Sequence, residues 1–463
     1  MKQPLVAALA ARLRSMHAEH PLRGLCVALS GGVDSVALLV ALQQARRSDA
    51  QLRRLPLRAI HIHHHLRPEA DAWASHCRRL CRAQGVSLGV RHVEVPRTKG
   101  SSLEAEARRV RYAAFEAALR TGEALLTAHH EDDQLETMLL QWMRGAGVAG
   151  LAAMPACAPL GRGWLLRPLL TQSRATLEAF VQASGTATVE DDSNVDERFD
   201  RNYLRHRIVP LLRERWPAAA RVASRSAAHL AEARELLDER AASDVLELAP
   251  EGALSLAKLA ALSPARQRNA LRSWITGCGA SLPDAVHLER VRHELAVTRA
   301  DAMPHVEWPG GRVRRYRGQL YCERPPLQAA AAAQAAASAA VDRLGWDWQR
   351  SRSLELGAGR GRLRLVADRH GPIDAARLPA RLIVRFRAAG ERIALEPGKN
   401  RRRLKELLRA AGVLPWRRDD VPLICSTKSV LAVGDWALAA TLRATPATRR
   451  RLRLEWTGAG WIR

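Results

Sequence analysis

The sequence has no paired cysteines. Its seven cysteines are scattered over 463 residues, and no two of them stand in a Cys-x-x-Cys arrangement. Small secreted domains that depend on disulfides use dense, regularly spaced cysteines, so that class is excluded. The odd number and the wide spacing predict free thiols and a protein of the reducing cytoplasm.

Long apolar runs are absent too. No stretch approaches the roughly 20 apolar residues that a transmembrane helix requires, so we expect no membrane partner. The first 17 residues resemble a signal peptide only superficially, because Arg12 interrupts their apolar character. Leu5, Leu9 and Leu13 recur at helical spacing, which predicts an amphipathic N-terminal helix.

Lysine is scarce, but positive charge is not. Only six of the 73 basic residues are lysine, and 47 acidic residues leave a formal net charge of +26. Arginine binds phosphate groups through two parallel hydrogen bonds, so this excess indicates a polyanionic partner such as nucleic acid. An arginine-rich genome would explain the choice of arginine over lysine, but not the excess of bases over acids.

A glycine-rich hexapeptide, Ser30-Gly-Gly-Val-Asp-Ser35, lies between apolar runs at 25–29 and 36–42. The runs predict a buried strand and a helix, and the tight turn between them places backbone N–H groups at a helix N-terminus. Such a turn binds phosphate, but this one has no lysine and is therefore not a Walker A loop. The pattern is typical of PP-loop ATP pyrophosphatases, which cleave ATP to AMP and pyrophosphate while adenylating a substrate. We expect ATP to bind through Ser30, Gly31, Gly32, Val33, Asp34 and Ser35.

Residues 25–145 alternate between strand and helix patterns. The strand candidates are 25–29, 58–63, 86–95 and 124–128, and the helix candidates are 34–46, 69–84 and 103–121. This order predicts an α/β fold with a doubly wound, Rossmann-like parallel sheet, whose ligands bind at the carboxyl ends of the strands. The hexapeptide and a second polar motif, at 129–133, each follow such a strand end directly.

The length predicts two or three domains. We place an ATP-binding catalytic domain at 1–215 and a mainly helical domain, rich in Ala, Leu, Arg and Glu, at 216–324. An alanine-rich linker follows at 325–344. Short alternating runs at 345–463 predict a small α+β domain with a basic face.

The second motif, His129 to Thr137, concentrates carboxylates. Asp133 and Glu136 are three residues apart, and Asp132 and Glu136 are four apart. These side chains therefore share one helix face, which His129 can also reach. The face would hold a cation, either Mg²⁺ on nucleotide phosphates or an ammonium-bearing substrate. Acids in a first helical turn also interact favourably with the helix dipole, but the neighbouring phosphate loop favours the binding interpretation.

An ordered series of further motifs extends along nearly the whole chain. It comprises His61 to Arg67, Arg108 to Tyr112, His129 to Thr137, Arg144 to Gly147, Arg167 to Leu170, Asp192 to Asn194, Arg201-Asn202, Leu204-Arg205, Phe386 to Arg392, Lys405 and Pro415 to Asp419. Together with the hexapeptide, this series resembles the tRNA(Ile)-lysidine synthases, a family of PP-loop enzymes. The hexapeptide is shared by the wider superfamily, whereas the Asp-Ser-Asn, Arg-Asn and Leu-Arg cluster and the basic C-terminal segment are more specific.

The resemblance implies an ATP-dependent carbon–nitrogen ligase. In such enzymes the C2 carbonyl oxygen of the wobble cytidine, in tRNA(Ile) with a CAU anticodon, attacks the α-phosphorus of ATP, and pyrophosphate leaves with the help of Mg²⁺. The ε-amine of free L-lysine then displaces AMP, which gives lysidine and changes codon reading from AUG to AUA. The middle and C-terminal domains would bind the tRNA. A homodimer is also implied, although no helical periodicity identifies its interface.

The resemblance, carried over motif by motif, assigns roles to single residues. Asp34 would organise Mg²⁺ through the phosphates, and Arg205 would stabilise charge. Asp133 and Glu136 would hold the cationic groups of lysine and complete the catalytic set, while Asp133 or His130 would accept the proton of the lysine amine. Further ATP contacts are assigned to His61 and Arg111. The tRNA contacts are assigned to Arg201, Arg205, Lys399, Arg401, Arg402, Arg403, Lys405, Trp416 and Arg417.

One segment departs from the family's pattern. The family usually reads His-x-Asn-His-Gly-Leu-Arg, whereas here His63 stands in place of the Asn and His65 in place of the Gly. In a strand, His61, His63 and His65 would share one face, so metal chelation is an alternative. No cysteine or carboxylate stands nearby in the sequence at ligand spacing. His65 would also have to adopt a turn conformation that glycine adopts more easily.

Three other functions fit a PP-loop alone. A PP-loop tRNA thiolase would use paired cysteines, whereas Cys77 and Cys81 are separated by three residues on a predicted helix. A glutamine-fed amidotransferase would need a glutaminase domain, and none is recognisable in the sequence. A non-catalytic RNA-binding protein would need neither the intact hexapeptide nor the acidic helix face.

Overall fold

The computed structural model describes residues 4–96, 103–189, 196–297, 303–324, 343–357, 360–386, 391–398, 400–427 and 429–457. The chain forms two compact units, residues 1–239 and residues 240–463. The predicted linker at 325–344 lies almost entirely outside the described residues. The four-part division derived from the sequence therefore stays a prediction.

The first unit is built on a six-stranded sheet. Its strands are β1 (Gly24–Ala28), β2 (Leu57–His63), β3 (Ser87–His92), β4 (Glu123–Leu126), β5 (Cys157–Leu160) and β6 (Gly163–Leu166). The order is β3-β2-β1-β4-β6-β5, and neighbouring strands are parallel except β5, which is antiparallel to β6. The predicted parallel α/β sheet is confirmed, and its strand order changes direction between β1 and β4.

Helices connect these strands. They are α1 (Pro4–Glu19), α2 (Val33–Ser48), α3 (Ala50–Arg54), α4 (Ala70–Ala83), α5 (Leu103–Ala118), α6 (Glu131–Met143), α7 (Val148–Leu151), α8 (Arg174–Ser184), α9 (Asp200–Tyr203) and α10 (Val209–Arg215). A π-helical turn, Leu204–Ile208, lies between α9 and α10. Every strand and helix predicted for residues 25–128 is present within a few residues of its predicted bounds.

The N-terminal helix α1 is amphipathic, as predicted. Leu5, Leu9 and Leu13 are buried, whereas Arg12 is exposed. The same core contains the apolar residues of α2 and much of β1, because an interior parallel strand is covered on both faces. Among the described helices, none combines the length and the apolar character that crossing a membrane requires.

The middle of the chain contains a sheet as well as helices. Its elements are α11 (Ala219–Leu248), β7 (Leu254–Ser255), α12 (Leu256–Ala260), α13 (Pro264–Gly277), α14 (Ala285–Val297), β8 (His305–Trp308), β9 (Gly311–Tyr316) and β10 (Gln319–Glu323). The strands form an antiparallel sheet in the order β7-β10-β9-β8. The sequence predicts a mainly helical domain here, and this sheet is not among its predictions. The strand signal is weak because Val306, Trp308 and Val313 alternate with other residues over very short runs.

The C-terminal part consists mainly of short strands. They are β11 (Arg343–Asp347), β12 (Ser353–Glu355), β13 (Arg362–Ala367), β14 (Ile373–Asp374), β15 (Arg381–Arg385), β16 (Arg392–Ile393), β17 (Arg402–Arg403), β18 (Leu423–Cys425), β19 (Val430–Val433), β20 (Ala437–Leu438) and β21 (Arg451–Thr457). They form sheets in the orders β11-β15-β18-β19-β20 and β12-β13-β21-β14, and the hairpin β16-β17. With helix α15 (Leu404–Ala410), this confirms the predicted small α+β fold.

Candidate active site

The hexapeptide forms a tight turn between β1 and α2, as predicted. Gly31 has a φ of +95°, and a Cβ atom there would lie 2.7 Å from Val189 Cγ2, so only glycine fits. The Ser35 hydroxyl accepts hydrogen bonds from the N–H groups of Ser30 (3.2 Å) and Gly31 (3.1 Å). It donates to the carbonyl of Gly32 at 3.0 Å. Gly32, the N-cap of α2, offers no side chain to the first N–H groups of that helix, which leaves them directed toward an incoming anion.

His61 lies behind the loop, on β2. Its ring is buried, and Nδ1 donates to the carbonyl of Leu29, the residue before the hexapeptide, at 2.8 Å. Burial lowers the pKa of His61, so the ring is neutral. Its hydrogen bond to Leu29 helps to fix the position of the hexapeptide loop. Arg111 lies on α5 and is half-buried. The burial of His64, together with the charge of Arg111, lowers the pKa of His64 to about 4. Contact of His61 and Arg111 with ATP stays a prediction.

His130 joins the loop to the acidic helix. It precedes α6 and is 1% exposed, and its Nε2 lies 3.7 Å from Asp34 Oδ1 and 3.5 Å from Asp133 Oδ2. Its backbone N–H donates to Asp133 Oδ2 at 3.0 Å and so helps to cap the helix. Because β1 and β4 are neighbours in the sheet, the segments that follow them meet at one edge, as predicted.

Asp133 and Glu136 bind two arginines. Arg201 donates from Nε to Glu136 Oε2 at 2.8 Å and from Nη2 to Asp133 Oδ1 at 2.9 Å. Arg205 donates from Nε to Glu136 Oε1 at 2.6 Å and from Nη2 to Asp133 Oδ1 at 3.3 Å. Burial raises the pKa of Asp133, but nearby charge, including that of Arg201, and the hydrogen bond from the His130 N–H outweigh burial and hold that pKa below its usual value. Two carboxylates therefore face two guanidinium groups.

A π-helical turn positions the two arginines. Arg201 lies in α9, and Arg205 lies in the turn Leu204–Ile208 that leads into α10. A π turn adds a residue to an α-helix and is frequent at functional sites. Here both guanidinium groups, four residues apart, reach the same pair of carboxylates.

Asp132 lies on the same helix four residues before Glu136, as the spacing predicts, but it does not share these contacts. Its Oδ2 accepts a hydrogen bond from the N–H of Arg174, at the start of α8, at 2.9 Å, and its Oδ1 contacts Arg213 of α10. From its place at the N-terminus of α6, Asp132 caps the first turn of α8 and does not contact the arginines that bind Glu136. Asp132 therefore holds three helices together.

Asp34 offers an unpaired carboxylate oxygen. Its Oδ1 is buried and has no hydrogen-bond partner within the described part of the chain. The carboxylate lies in the first turn of α2, beside the phosphate-binding loop. Mg²⁺ is a hard cation that takes one or two carboxylates together with substrate phosphates. The residues present therefore fit the metal that the family resemblance implies.

The predicted tRNA contacts of the C-terminal part lie mostly on one hairpin. Arg402 and Arg403 form β17, which pairs with β16, and Arg401 precedes them. These three arginines are exposed and line a cavity of about 610 Å³. Lys405, on α15, is also exposed, whereas Lys399 lies outside the described residues.

Trp416 and Arg417 pack against the antiparallel sheet of the same unit. The Trp416 ring lies 5.6 Å from the ring of Tyr321 and 6.1 Å from that of Tyr316, edge to face in both cases. Arg417 Nη2 is 2.8 Å from Glu323 Oε1. Both side chains are partly buried, so they help to hold the second unit together, and their contact with tRNA stays a prediction.

Two features of the site are not predicted from the sequence. The sequence identifies His130 only as a candidate base, although its place one strand end away from the loop could have indicated the link to Asp34. Arg167 is buried and donates from Nη1 to the carbonyl of Pro155 at 2.7 Å, and burial lowers the pKa of Arg167.

The motif Asp192 to Asn194 lies outside the described residues.

Comparison with protein families identifies three domains along the chain. A model described as a PP-loop domain matches residues 5–212. Models described as the TilS substrate binding domain and the TilS substrate C-terminal domain match residues 254–321 and 382–456. The chain is thus a PP-loop protein with two further domains of one enzyme family.

Curated relatives name that family. A tRNA(Ile)-lysidine synthase of Alkalilimnicola ehrlichii is 43% identical over 432 residues, which covers 93% of each chain. One of Methylococcus capsulatus is 40% identical over 445 residues, covering 95% of this chain and 97% of its own. The solved structure of a TILS C-terminal domain is 19% identical and covers 25% of this chain and 98% of its own, with a TM-score of 0.19. The chain belongs to the tRNA(Ile)-lysidine synthase family, which confirms the resemblance.

Proposed function

We propose that this protein uses ATP to join free L-lysine to C2 of the wobble cytidine of tRNA(Ile) with a CAU anticodon. The observation that carries the proposal is the convergence of an ATP loop, an unpaired carboxylate and a cluster of acids and arginines at one sheet edge. Asp34, His130 and Asp133 form a continuous series of contacts there, and Asp133 continues to Arg205. Family membership supports ATP and tRNA(Ile) as substrates.

The first step activates the cytidine. The turn at Gly31–Gly32 and the first N–H groups of α2 would bind the phosphates, because a helix N-terminus presents unpaired donors and partial positive charge. The C2 oxygen of cytidine bonds to the α-phosphorus, the bond to the bridging oxygen breaks, and pyrophosphate leaves. Arg201 and Arg205 would stabilise the charge that develops on the transferred group.

Asp34 is the proposed Mg²⁺ ligand. Its unpaired Oδ1 would hold the ion together with the phosphates of ATP. When bound, Mg²⁺ would neutralise charge on the departing pyrophosphate. The protein contributes the fixed position of Asp34 at the start of α2, next to His130 at 3.7 Å.

The second step requires a site for lysine. Asp133 and Glu136 are proposed to hold its cationic groups, yet both carboxylates are bonded to arginines. We therefore propose an exchange, in which Arg201 and Arg205 turn to substrate phosphates and release the carboxylates to lysine. Guanidinium groups bind phosphate bidentately, so the exchange keeps every charge paired.

The attacking ε-amine must first lose a proton. His130 and Asp133 are the candidate bases, and His130 Nε2 lies 3.5 Å from Asp133 Oδ2. Although burial raises the pKa of Asp133, the charge of Arg201 and the hydrogen bond from the His130 N–H hold that pKa below its usual value, which makes Asp133 a weak base. We therefore propose that His130, in its neutral form, accepts the proton. The neutral amine then bonds to C2, the carbon–oxygen bond breaks, and AMP leaves.

The tRNA would bind through the exposed basic residues of the C-terminal part, namely Arg401, Arg402, Arg403 and Lys405. Phosphate contacts of this kind supply affinity, and the unpaired anticodon loop displays the base edges by which RNA sequence is recognised. The homodimer that the family resemblance implies also stays a prediction.

The test uses the full chain, ATP, Mg²⁺, labelled lysine and a tRNA(Ile) transcript with a CAU anticodon. Pyrophosphate release and label in RNA are measured separately. We expect Asp34→Asn to lose both signals, and Glu136→Gln to lose label more than pyrophosphate release. Glu131→Gln, in the first turn of the same helix, is the matched control and should keep both. Absence of label in RNA with folded wild-type protein, or equal transfer by Asp34→Asn, would contradict the proposal.

A further inference from the structure

Three histidines meet at the carboxyl end of the first unit's sheet, outside the site described above. His63 ends β2, His92 ends β3, and His65 lies in the turn after β2. The strands are parallel with His63 opposite His92, so these two side chains project from the same face. The centroids of the three rings lie 4.1 to 5.0 Å apart.

One nitrogen atom from each ring lies near the other two. These three atoms are all within 4.8 Å of one another. The closest pair is His92 Nδ1 and His65 Nε2, at 2.9 Å. Two imidazole nitrogens on one tetrahedral Zn²⁺, with bonds of about 2.0–2.1 Å, are about 3.3 Å apart. Small rotations of the rings would therefore bring all three nitrogens within bonding distance of one ion.

His63 has a buried ring with one unsatisfied nitrogen. The residue is 2% exposed, and its Nδ1 has no hydrogen-bond partner among the residues that the structure describes. Buried polar groups are normally paired, so this nitrogen requires an explanation. Asp71 Oδ1, 3.2 Å from His63 Nε2, supplies a negative charge beside the cluster.

The cluster differs from the one that strand alternation predicts. His61 is turned toward the Leu29 carbonyl at 2.8 Å, and the third ring comes instead from His92 on β3. His65 has a φ of +55°, the left-handed conformation that glycine favours, and this conformation holds its ring against the other two. The carboxylate that the sequence did not reveal, Asp71, is supplied by α4.

We propose that His63, His65 and His92 form a binding site for a late first-row divalent metal ion of the Zn²⁺ and Ni²⁺ class, with Asp71 or water completing the coordination. Imidazole nitrogen suits such ions, whereas Mg²⁺ prefers oxygen ligands. This site is therefore separate from the Mg²⁺ ligand proposed at Asp34. A bound ion would join the ends of β2 and β3 to the turn after β2, and so stabilise the folded first unit.

The test titrates metal-free full-length protein with Zn²⁺, without ATP, by calorimetry and by thermal unfolding. We expect one strongly bound ion per chain and a rise in Tm. His65→Gly and His92→Gln should each weaken Zn²⁺ binding by at least about tenfold and abolish most of the rise in Tm. Both residues are exposed, and glycine suits the backbone at position 65, so the variants should fold. His229→Asn, an exposed histidine of α11, is the control and should behave as wild type.

Equal Zn²⁺ affinity in the wild type and in both cluster variants would overturn the proposal. Absorption spectra with Co²⁺ as a second probe provide an independent check. Ligation by nitrogen is expected, whereas a thiolate charge-transfer band would place the ion on cysteine and also overturn the proposal. Lysidine formation is not a readout here, so the result is independent of the proposed function.

Discussion

At the scale of single residues, the site depends on the shape of guanidinium as much as on its charge. Arg205 donates through Nε and Nη2 to both oxygens of Glu136, at 2.6 and 2.9 Å, and Nη2 also reaches Asp133. A lysine ammonium carries the same charge but lacks this planar fork. Charge and geometry can therefore be separated by one conservative substitution.

We expect Arg205→Lys to lower kcat/KM for lysidine formation by about 100-fold, because the donors aimed at the transition state are lost while the charge remains. Steady-state kinetics with varied lysine and tRNA would measure the change. Arg207→Lys, in the same π turn but exposed and bonded to Glu197 at 2.9 Å, is the matched control and should stay active. An equal loss in both variants would attribute the effect to folding of the turn.

The proposed exchange of partners predicts that nucleotide phosphates and lysine bind cooperatively. A non-hydrolysable ATP analogue with Mg²⁺ should tighten lysine binding by about tenfold, since it would draw Arg201 and Arg205 away from the carboxylates. Calorimetric titration of lysine, with and without the analogue, measures this coupling. Adenosine, which has no phosphates, is the control. Identical lysine affinity in all three conditions would refute the exchange.

These residue contacts show which part of the site is predictable from sequence. The loop from Ser30 to Ser35 is a contiguous motif, so its chemistry is visible directly. The bond between Arg201 and Glu136 joins residues that are 65 positions apart, and no local pattern specifies it. Asp132 illustrates the same limit. Helical spacing aligns it with Glu136, but its carboxylate accepts a hydrogen bond from the N–H of Arg174, a contact that the spacing does not reveal.

At the scale of elements, α11 and α13 are joined through one buried acid. Asp244 is 2% exposed, and its Oδ1 lies 2.6 Å from Arg266 Nη2 and 2.9 Å from Arg240 Nη2. The hydrogen bond from Arg266 is the main cause that holds the pKa of Asp244 below its usual value. Asp244 is buried, whereas Arg240 and Arg266 keep 52% and 39% of their side chains exposed, so the loss of the carboxylate removes hydrogen bonds to charged groups and leaves the two guanidinium groups partly solvated.

We expect Asp244→Asn to reduce the free energy of unfolding of the second unit by about 2 kcal/mol at neutral pH, because hydrogen bonds to two partly exposed charged groups are lost. Because the folded pKa is depressed, the contribution is complete above the unfolded value of about 3.9 and is lost as pH falls through the folded pKa. The difference between wild type and variant should therefore shrink only in acid. Urea unfolding at several pH values measures it.

Asp238→Asn is the control for this prediction. Asp238 lies on the same helix and is paired with Arg234 at 3.3 Å, but both side chains are mainly exposed. Exposed ion pairs contribute little, so this variant should change stability by less than about 1 kcal/mol. If Asp238→Asn lowered the free energy of unfolding as much as Asp244→Asn, the effect would belong to any substitution in α11. It would then not depend on the buried position of Asp244.

Elements differ in how well the sequence reveals them. The strands β1 and β4 are continuous apolar runs, because an interior parallel strand is covered on both faces. The sheet of β7 to β10 escapes prediction because its strands are only two to six residues long. Such short antiparallel strands carry too few alternations to stand out from turns.

At the scale of the whole molecule, the net charge of +26 governs association with RNA. Binding that releases counterions from phosphates weakens with salt, by a slope of about 0.7 per contact for single strands. The composition alone predicts this behaviour. The fold determines which arginines contribute to binding. We propose Arg402 and Arg403 of β17, together with Arg401 beside them.

We expect replacement of Arg401, Arg402 and Arg403 by Gln to weaken tRNA binding and to reduce the slope of log K against log salt by about 2. ATP binding should persist. Filter-binding or fluorescence titrations at several salt concentrations measure the slope. The control removes the same charge from Arg12, Arg47 and Arg54, which are exposed on α1, α2 and α3 of the first unit. Equal slopes in the two triple variants would make the effect one of net charge alone.

The π turn between α9 and α10 also has a consequence for the gene. Each residue of an α-helix turns the chain by about 100°, so loss of one codon here would rotate all that follows against what precedes. Arg201 would keep its place, while Arg213 would turn away from Asp132, which it contacts. Base substitutions on the exposed side of this segment are therefore compatible with function, whereas in-frame insertions or deletions between Asp200 and Arg215 are not. The length of this segment is therefore a heritable constraint beside the identity of Arg201 and Arg205.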